Sequence, residues 1–233
     1  MNTIKSKIKI KKLDNQIYED EFAIPQMQNF VWLIIGAKGS GKSNIIINAL
    51  NNKKKNNGLK KRFQKIYMCS PTAIYDPKYE KLHKELDEGN TYYNTLNNKI
   101  LSKIYDDIIN NHSDKHNSLL ILDDCISMLP KSTEKNSILN KIIACHRHIH
   151  LSIIISSQKY NSINTLIRNN YDILSIFKID NKSEYKTIEN DLNTNAELLK
   201  EVYDFAVSKK HSFLHIRLSN PILFYQNFDK IIL

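Results

Sequence analysis

An α/β fold built on a mainly parallel sheet, with antiparallel strands added at its end, is what this 233-residue sequence predicts. Three observations carry that expectation. Apolar runs of strand length alternate with stretches of helical periodicity across residues 30–179, the pattern of parallel strands joined by crossover helices. The first run, Phe30-Val31-Trp32-Leu33-Ile34-Ile35, has no polar member, as a strand covered on both faces requires. A glycine-rich turn follows that run and opens a helix, and Gly36, Gly39 and Gly41 are three of only five glycines in the chain.

Taken in order, residues 1–28 alternate apolar and charged around Ile4, Ile8, Ile10 and Leu13 and read as an exposed strand or hairpin appended to the sheet. A helix starts at Lys42 and carries Ile45, Ile46, Ala49 and Leu50. Residues 51–62 form a basic, Asn-rich connection containing Lys53, Lys54, Lys55, Lys60, Lys61 and Arg62, ahead of a strand at Lys65–Cys69. Residues 79–111 read as helices, with Leu96, Ile100, Ile104, Ile108 and Ile109 at helical spacing. Strands follow at 119–122, 151–156 and 173–179, separated by helices over 133–145 and 163–168. Helices over 183–192 and 196–207 precede two strands, 213–218 and 222–225, joined at Ser219-Asn220-Pro221. One domain, 1–233, is expected: an appendage at 1–28, a core at 30–180, and C-terminal helices and antiparallel strands at 181–233.

A formal charge of +10 and a pI near 9.3 favour polyanionic partners, chiefly nucleic acid, through phosphate neutralisation. The abundance of Asn, Lys and Ile also follows from AT-rich coding, so each lysine run has a second reading as a solvated face. Cys69, Cys125 and Cys145 are far apart, and two of them lie in apolar runs, so free thiols in a reducing compartment are expected. No apolar stretch approaches the roughly 20 residues that span a bilayer. The N-terminal lysines precede no apolar targeting segment. The expectation is a soluble, unprocessed intracellular protein with no membrane partner.

Gly36-Ala37-Lys38-Gly39-Ser40-Gly41-Lys42-Ser43 satisfies G-x-x-x-x-G-K-[ST] completely, between a strand and a helix as a phosphate-binding loop requires. Glycine lets the backbone N–H groups and the helix N-terminus close on a β-phosphate. Lys42 would then bridge the β- and γ-phosphates of ATP, and Ser43 would hold Mg²⁺. Leu119-Leu120-Ile121-Leu122-Asp123-Asp124 is an apolar strand ending in two carboxylates. Asp123 is placed to serve Mg²⁺ and Asp124 to polarise the attacking water; the alternative for Asp124 is a cap on the next helix. Ser156-Ser157-Gln158 puts polar groups at the C-terminal edge of a strand, where open α/β sheets bind ligands, and Gln158 is suited to sense a γ-phosphate or to hold water. Arg147 and Arg168 are the nearest arginines in sequence and are candidate arginine fingers. The run Cys145-His146-Arg147-His148-Ile149-His150 also admits zinc, but its alternation reads better as the approach of a strand, and no C-x-x-C accompanies it.

This ordered set resembles the FtsK/HerA superfamily of DNA-pumping ATPases, and within it the poxvirus-type genome-packaging ATPases of large DNA viruses, virophages and Polinton-like elements. The likeness runs over about residues 30–179. It rests on residues 36–43, the Asp-Asp strand at 119–124, Arg147 through Gln158, and the Leu166-Ile167-Arg168-Asn169-Asn170 segment. The resemblance implies a RecA-like P-loop three-layer sandwich and assembly as a homo-oligomeric ring of five or six subunits. It further implies translocation of double-stranded DNA into a capsid, in the host cytoplasm or viral factory and in the virion. It assigns phosphates to Lys42, Mg²⁺ to Ser43 and Asp123, water activation to Asp124, γ-phosphate sensing to Gln158, and a finger to Arg147 or Arg168.

Three rivals have weaker support. Asn181-Lys182-Ser183-Glu184 partly matches the guanine-reading Asn-Lys-x-Asp of P-loop GTPases, but the fourth residue is wrong and Ile126 stands where a GTPase switch needs glycine. A small-molecule or nucleotide kinase would share the loop and lack a DNA role. A non-hydrolysing P-loop module would bind ATP only to hold an assembly together.

Overall fold

The computed structural model describes residues 29–51, 59–112, 116–129 and 137–233. The strand expected over 1–28 and the lysines at 53–55 lie outside the described residues. Among the described residues nine strands form a single sheet. Six are parallel: β1 (Val31–Ile35), β2 (Lys65–Cys69), β3 (Tyr92–Tyr93), β4 (Ser118–Asp123), β5 (Leu151–Ser157) and β6 (Ile173–Phe177). Three are antiparallel, namely β7 (Phe213–Arg217), β8 (Leu223–Gln226) and β9 (Asp229–Lys230). Their order is β3-β2-β4-β5-β1-β6-β7-β8-β9.

Every residue of β1 is buried, and its side chains divide by the period of two between the sheet's faces. Trp32 and Ile34 join the cluster that takes Ile45, Ile46 and Leu50 from α1 (Lys42–Asn51) and Leu82 and Leu86 from α2 (Glu80–Glu88). Val31, Leu33 and Ile35 face the other way. They pack with Leu101 and Ile104 of α3 (Asn98–Asn110), Ile142 of α4 (Ile138–Cys145), Ile167 of α5 (Thr165–Arg168), Ile188 of α6 (Lys182–Leu192) and Val202 of α7 (Ala196–Ala206). Helices on both faces make the three-layer α/β sandwich that the unbroken apolar runs require.

Several elements differ from their sequence-based outlines. The helical stretch at 79–111 is interrupted, because Gly89 and Asn90, the latter at φ 54°, end α2 and turn the chain into the edge strand β3. The segment 146–150 is a turn and not an incoming strand. Leu151 N–H donates to His146 O at 2.8 Å, and His150 is left-handed at φ 53°. The histidines therefore lie around a turn, and His146 Nδ1 bonds Ile143 O at 2.7 Å. Among the described residues no three His, Cys, Asp or Glu side chains could hold a metal ion together. Asn181-Lys182-Ser183-Glu184 has a local structural use: the Asn181 side chain accepts from Ser183 N–H and Glu184 N–H and caps α6. Cys69 and Cys125 are buried free thiols, and burial pushes that of Cys69 up to about 12. No helix among the described residues is long and apolar enough to cross a membrane.

Candidate functional site: a phosphate loop and a two-carboxylate strand

The parallel strands all end at one edge of the sheet, and there the sequence motifs meet. β5 lies between β1 and β4, with Ile35 opposite Ser157 and Asp123 opposite Ser156. The glycine loop and the carboxylate pair therefore flank the polar tip of β5. Gly36 N–H donates to Ser157 O at 3.1 Å, carrying the ladder into the loop. A Cβ on Gly36 would lie 2.8–2.9 Å from Phe177, and Gly41 has φ +120°, so neither position accepts a side chain without displacement.

Lys42, the first residue of α1, is 5 % exposed. Its Nζ donates to Gly36 O at 2.9 Å and lies 3.5 Å from Asp124 Oδ2. Gln158 Nε2 approaches the same carboxylate oxygen at 3.5 Å. Asp124 is left-handed, with φ 50°, and its N–H donates to Ser156 Oγ at 3.1 Å. The turn after it, Ile126–Met128, has no side-chain cap, so the carboxylate faces the phosphate loop and not a helix end. Beyond it opens a cavity of about 230 Å³ lined by Asp124, Ser157, Gln158 and Lys159. On the far side of the loop a cavity of about 350 Å³ lies between Lys38, Gly39 and Ser40 and the segment Lys209-Lys210-His211. His211 reaches Ser40 O with Nδ1 at 3.0 Å.

Asp123 is 2 % exposed. Ser156 Oγ donates to its Oδ1, and Ser70 Oγ stands 3.5 Å from its Oδ2. Burial, reinforced by the Asp124 charge, holds its carboxyl above the usual carboxylate range, although the Ser156 hydrogen bond and the Lys42 charge pull the other way. A divalent cation between Asp123 and the Ser43 hydroxyl would supply the missing positive charge, so the donor set fits Mg²⁺, which takes one or two carboxylates together with substrate phosphates.

That raised value fixes a sign. The folded state retains a proton that the unfolded carboxyl releases near 3.8, so stability falls as pH rises through the folded value. Asp123→Asn removes the ionisation. In the nucleotide-free protein it is expected to raise the melting temperature and to flatten the acid-side pH dependence. Thermal melts of both proteins from pH 4 upward check this, and a lower melting point for the variant would contradict it.

The two arginines lie elsewhere. Arg147 stands just before β5, at the opposite end of the strands from the loop, and is 59 % exposed; NH2 donates to Asp172 Oδ1 at 2.7 Å. Arg168, at the end of α5, is 16 % exposed. It donates to Asp191 at 2.7 Å, reaches Thr165 Oγ1 at 3.3 Å and lies over the Tyr160 ring. The contacts of both arginines are with residues outside the phosphate loop. The site also contains residues that the motifs do not mark. Ser70 enters because β2 is β4's neighbour and places its C-terminal edge beside Asp123. Tyr79 enters from the turn Pro77–Tyr79 before α2.

A strand-loop-helix phosphate cradle, an Asp-Asp strand two positions away and a Gln-tipped strand between them are the arrangement of a P-loop ATPase. The chain belongs to the Poxvirus A32 protein family, whose profile matches residues 19–216. Solved structures share the fold at low identity. The genome packaging NTPase B204 from Sulfolobus turreted icosahedral virus 2, in complex with AMPPCP, is 17 % identical with a TM-score of 0.62, covering 88 % of this chain and 99 % of that one. The same protein with ATPγS gives 17 % and 0.62, over 88 % and 98 %. The pCW3 conjugation coupling protein TcpA, with ATPγS, is 14 % identical with a TM-score of 0.54, over 85 % of this chain and 60 % of that one. No curated protein matches the chain in sequence.

Proposed function

We propose that this protein hydrolyses Mg·ATP to drive double-stranded DNA into a viral capsid, working as a head-to-tail ring of five or six identical subunits. The observation that carries the reading is the convergence of Lys42, Asp124 and Gln158 within 3.5 Å contacts at the phosphate loop of a Poxvirus A32 family chain. Lys42 is the phosphate ligand and gives up Asp124 when the γ-phosphate arrives. Ser43 and Asp123 would hold Mg²⁺, which would supply positive charge to offset that of the phosphates. Asp124 orients and polarises the attacking water, and Gln158 reads whether the γ-phosphate is present. The cavity beside Lys38 and His211 accepts the nucleoside end.

None of the chain's four arginines ends a strand at the loop's edge, which supports a finger supplied by a neighbouring subunit. Arg147 is the better fitted of the two candidates because it is exposed and held by one surface ion pair, worth about 0–1 kcal/mol. The charge of +10 supports tracking of the DNA backbone without sequence choice. Host cytoplasm and the virion are the compartments this work requires.

The test is ATP hydrolysis by the purified chain with and without linear duplex DNA at two salt concentrations. DNA should stimulate turnover, the stimulation should weaken as salt rises, and Lys42→Ala should lower turnover by at least ~10²-fold, as loss of a preorganised charge contact does. Turnover indifferent to DNA would favour a kinase-like enzyme. Binding of ATP without turnover, with capsid and DNA both present, would favour a structural P-loop module.

A further inference from the structure

Tyr79 is among the largest fully buried side chains, at 1 % exposure, and its ring packs in the cluster that contains Trp32, Ile46 and Met68. Its hydroxyl is also buried. It lies against Ser43 and Asp123, yet forms no hydrogen bond of complete geometry. A buried polar group left without a partner costs about 1–3 kcal/mol, and phenylalanine would fill the same space without that cost. The hydroxyl therefore needs a reason, and its surroundings limit what the reason is. Its polar neighbours are the serine of the phosphate loop and the buried aspartate of β4. Asp123 Oδ1 accepts from Ser156, while Oδ2 lies 3.5 Å from Ser70 Oγ.

The turn that delivers Tyr79 is built to hold it there. Asp76 accepts from Lys78 N–H at 3.1 Å, Tyr79 N–H donates to Asp76 O at 2.9 Å, and Pro77 sets the first residue of the turn. The other end of the segment is tied to the same carboxylate. Ser70 Oγ accepts from Ala73 N–H at 3.2 Å while facing Asp123.

We propose that Tyr79 is a positioning residue for the Mg²⁺ shell, its hydroxyl hydrogen-bonding a metal-bound water between Ser43 and Asp123. The role rests on the reading of this site as a Mg·ATP site. Groups that hydrogen-bond the ligands of a metal typically change its affinity 10–100-fold when removed, and one lost hydrogen bond to such a water sets the lower end of that range. Tyr79 touches neither phosphate nor nucleoside in this role, so it acts on the ion and not on the nucleotide itself.

Titration calorimetry on the full chain tests this with ATPγS as the probe, once in EDTA and once over a Mg²⁺ series, for the wild type and Tyr79→Phe. The expected result is a Mg²⁺ concentration for half-maximal enhancement about 10-fold higher in the variant, with ATPγS affinity in EDTA unchanged. Unchanged affinity in EDTA also establishes that the variant's loop is intact. Identical Mg²⁺ dependence in the two proteins would overturn the role. Equal losses with and without Mg²⁺ would also overturn it, leaving Tyr79 a packing residue. If the wild type bound no ATPγS in either condition, the nucleotide-site reading would fail and take this role with it.

Discussion

Arg147→Ala is expected to lower DNA-stimulated ATP turnover by ~10³-fold or more while leaving ATPγS binding and the melting temperature of the isolated subunit close to wild type. The magnitude is that of an arginine supplied in trans to a phosphoryl-transfer transition state. The placement follows from geometry. In a head-to-tail ring each interface joins two different faces of the subunit, so a group that completes the neighbour's site belongs away from its own loop. Arg147 meets that condition, at the far end of β5, exposed, with one bond to Asp172. Arg168 does not, since Asp191, Thr165 and the Tyr160 ring hold it within its own subunit. Removing it would leave Asp191 paired only with the Tyr160 hydroxyl at 2.9 Å. Arg168→Ala should therefore show its main effect as a lower melting temperature, on the order of 2–4 °C. Turnover assays and thermal melts on the two variants decide the matter. A stable Arg168→Ala protein without turnover, beside an active Arg147→Ala protein, would reverse the assignment.

What the sequence displays most clearly is what depends on neighbours in the chain. The run 30–35, the glycine turn and the start of α1 at Lys42 are set by local composition. So is the strand that ends in Asp123, because five apolar or small residues in succession can be buried only in a sheet covered on both sides. Strand order is a different kind of fact. That β5 separates β1 from β4 depends on pairings such as Leu33 with Ile155 and Leu120 with Ile153, more than thirty residues apart in sequence. The contributions of Ser70 and Tyr79 depend in turn on that order, since each reaches Asp123 only because β2 lies beside β4. The turn at 146–150 shows tertiary and capping bonds overriding a local pattern. Alternation of His146, Arg147, His148 and Ile149 gives way to the hydrogen bonds that end α4.

Asp124→Asn is expected to lower turnover by ~10²–10⁴-fold, the usual share of a general base, with nucleotide binding at wild-type strength or tighter. Tighter binding has a specific cause. In the nucleotide-free site the Asp124 carboxylate lies 3.5 Å from Lys42 Nζ, so an incoming γ-phosphate must displace one anion from a lysine that is 5 % exposed. Asparagine removes that competitor and keeps the shape. It also keeps the backbone, because φ 50° is a left-handed conformation that Asn and Asp adopt more readily than longer residues. The same constraint explains why the shorter acid stands here. Glutamate would reach further toward the water, but at this φ it would strain the turn that Ser156 holds through Asp124 N–H. Asp124→Glu should thus retain measurable turnover and lose about 1 kcal/mol of stability, read as a melting temperature ~2–4 °C lower. If Asp124→Glu were as stable as the wild type, the left-handed turn would not be what selects aspartate; if Asp124→Asn still turned over ATP, the base would have to be sought elsewhere at this edge.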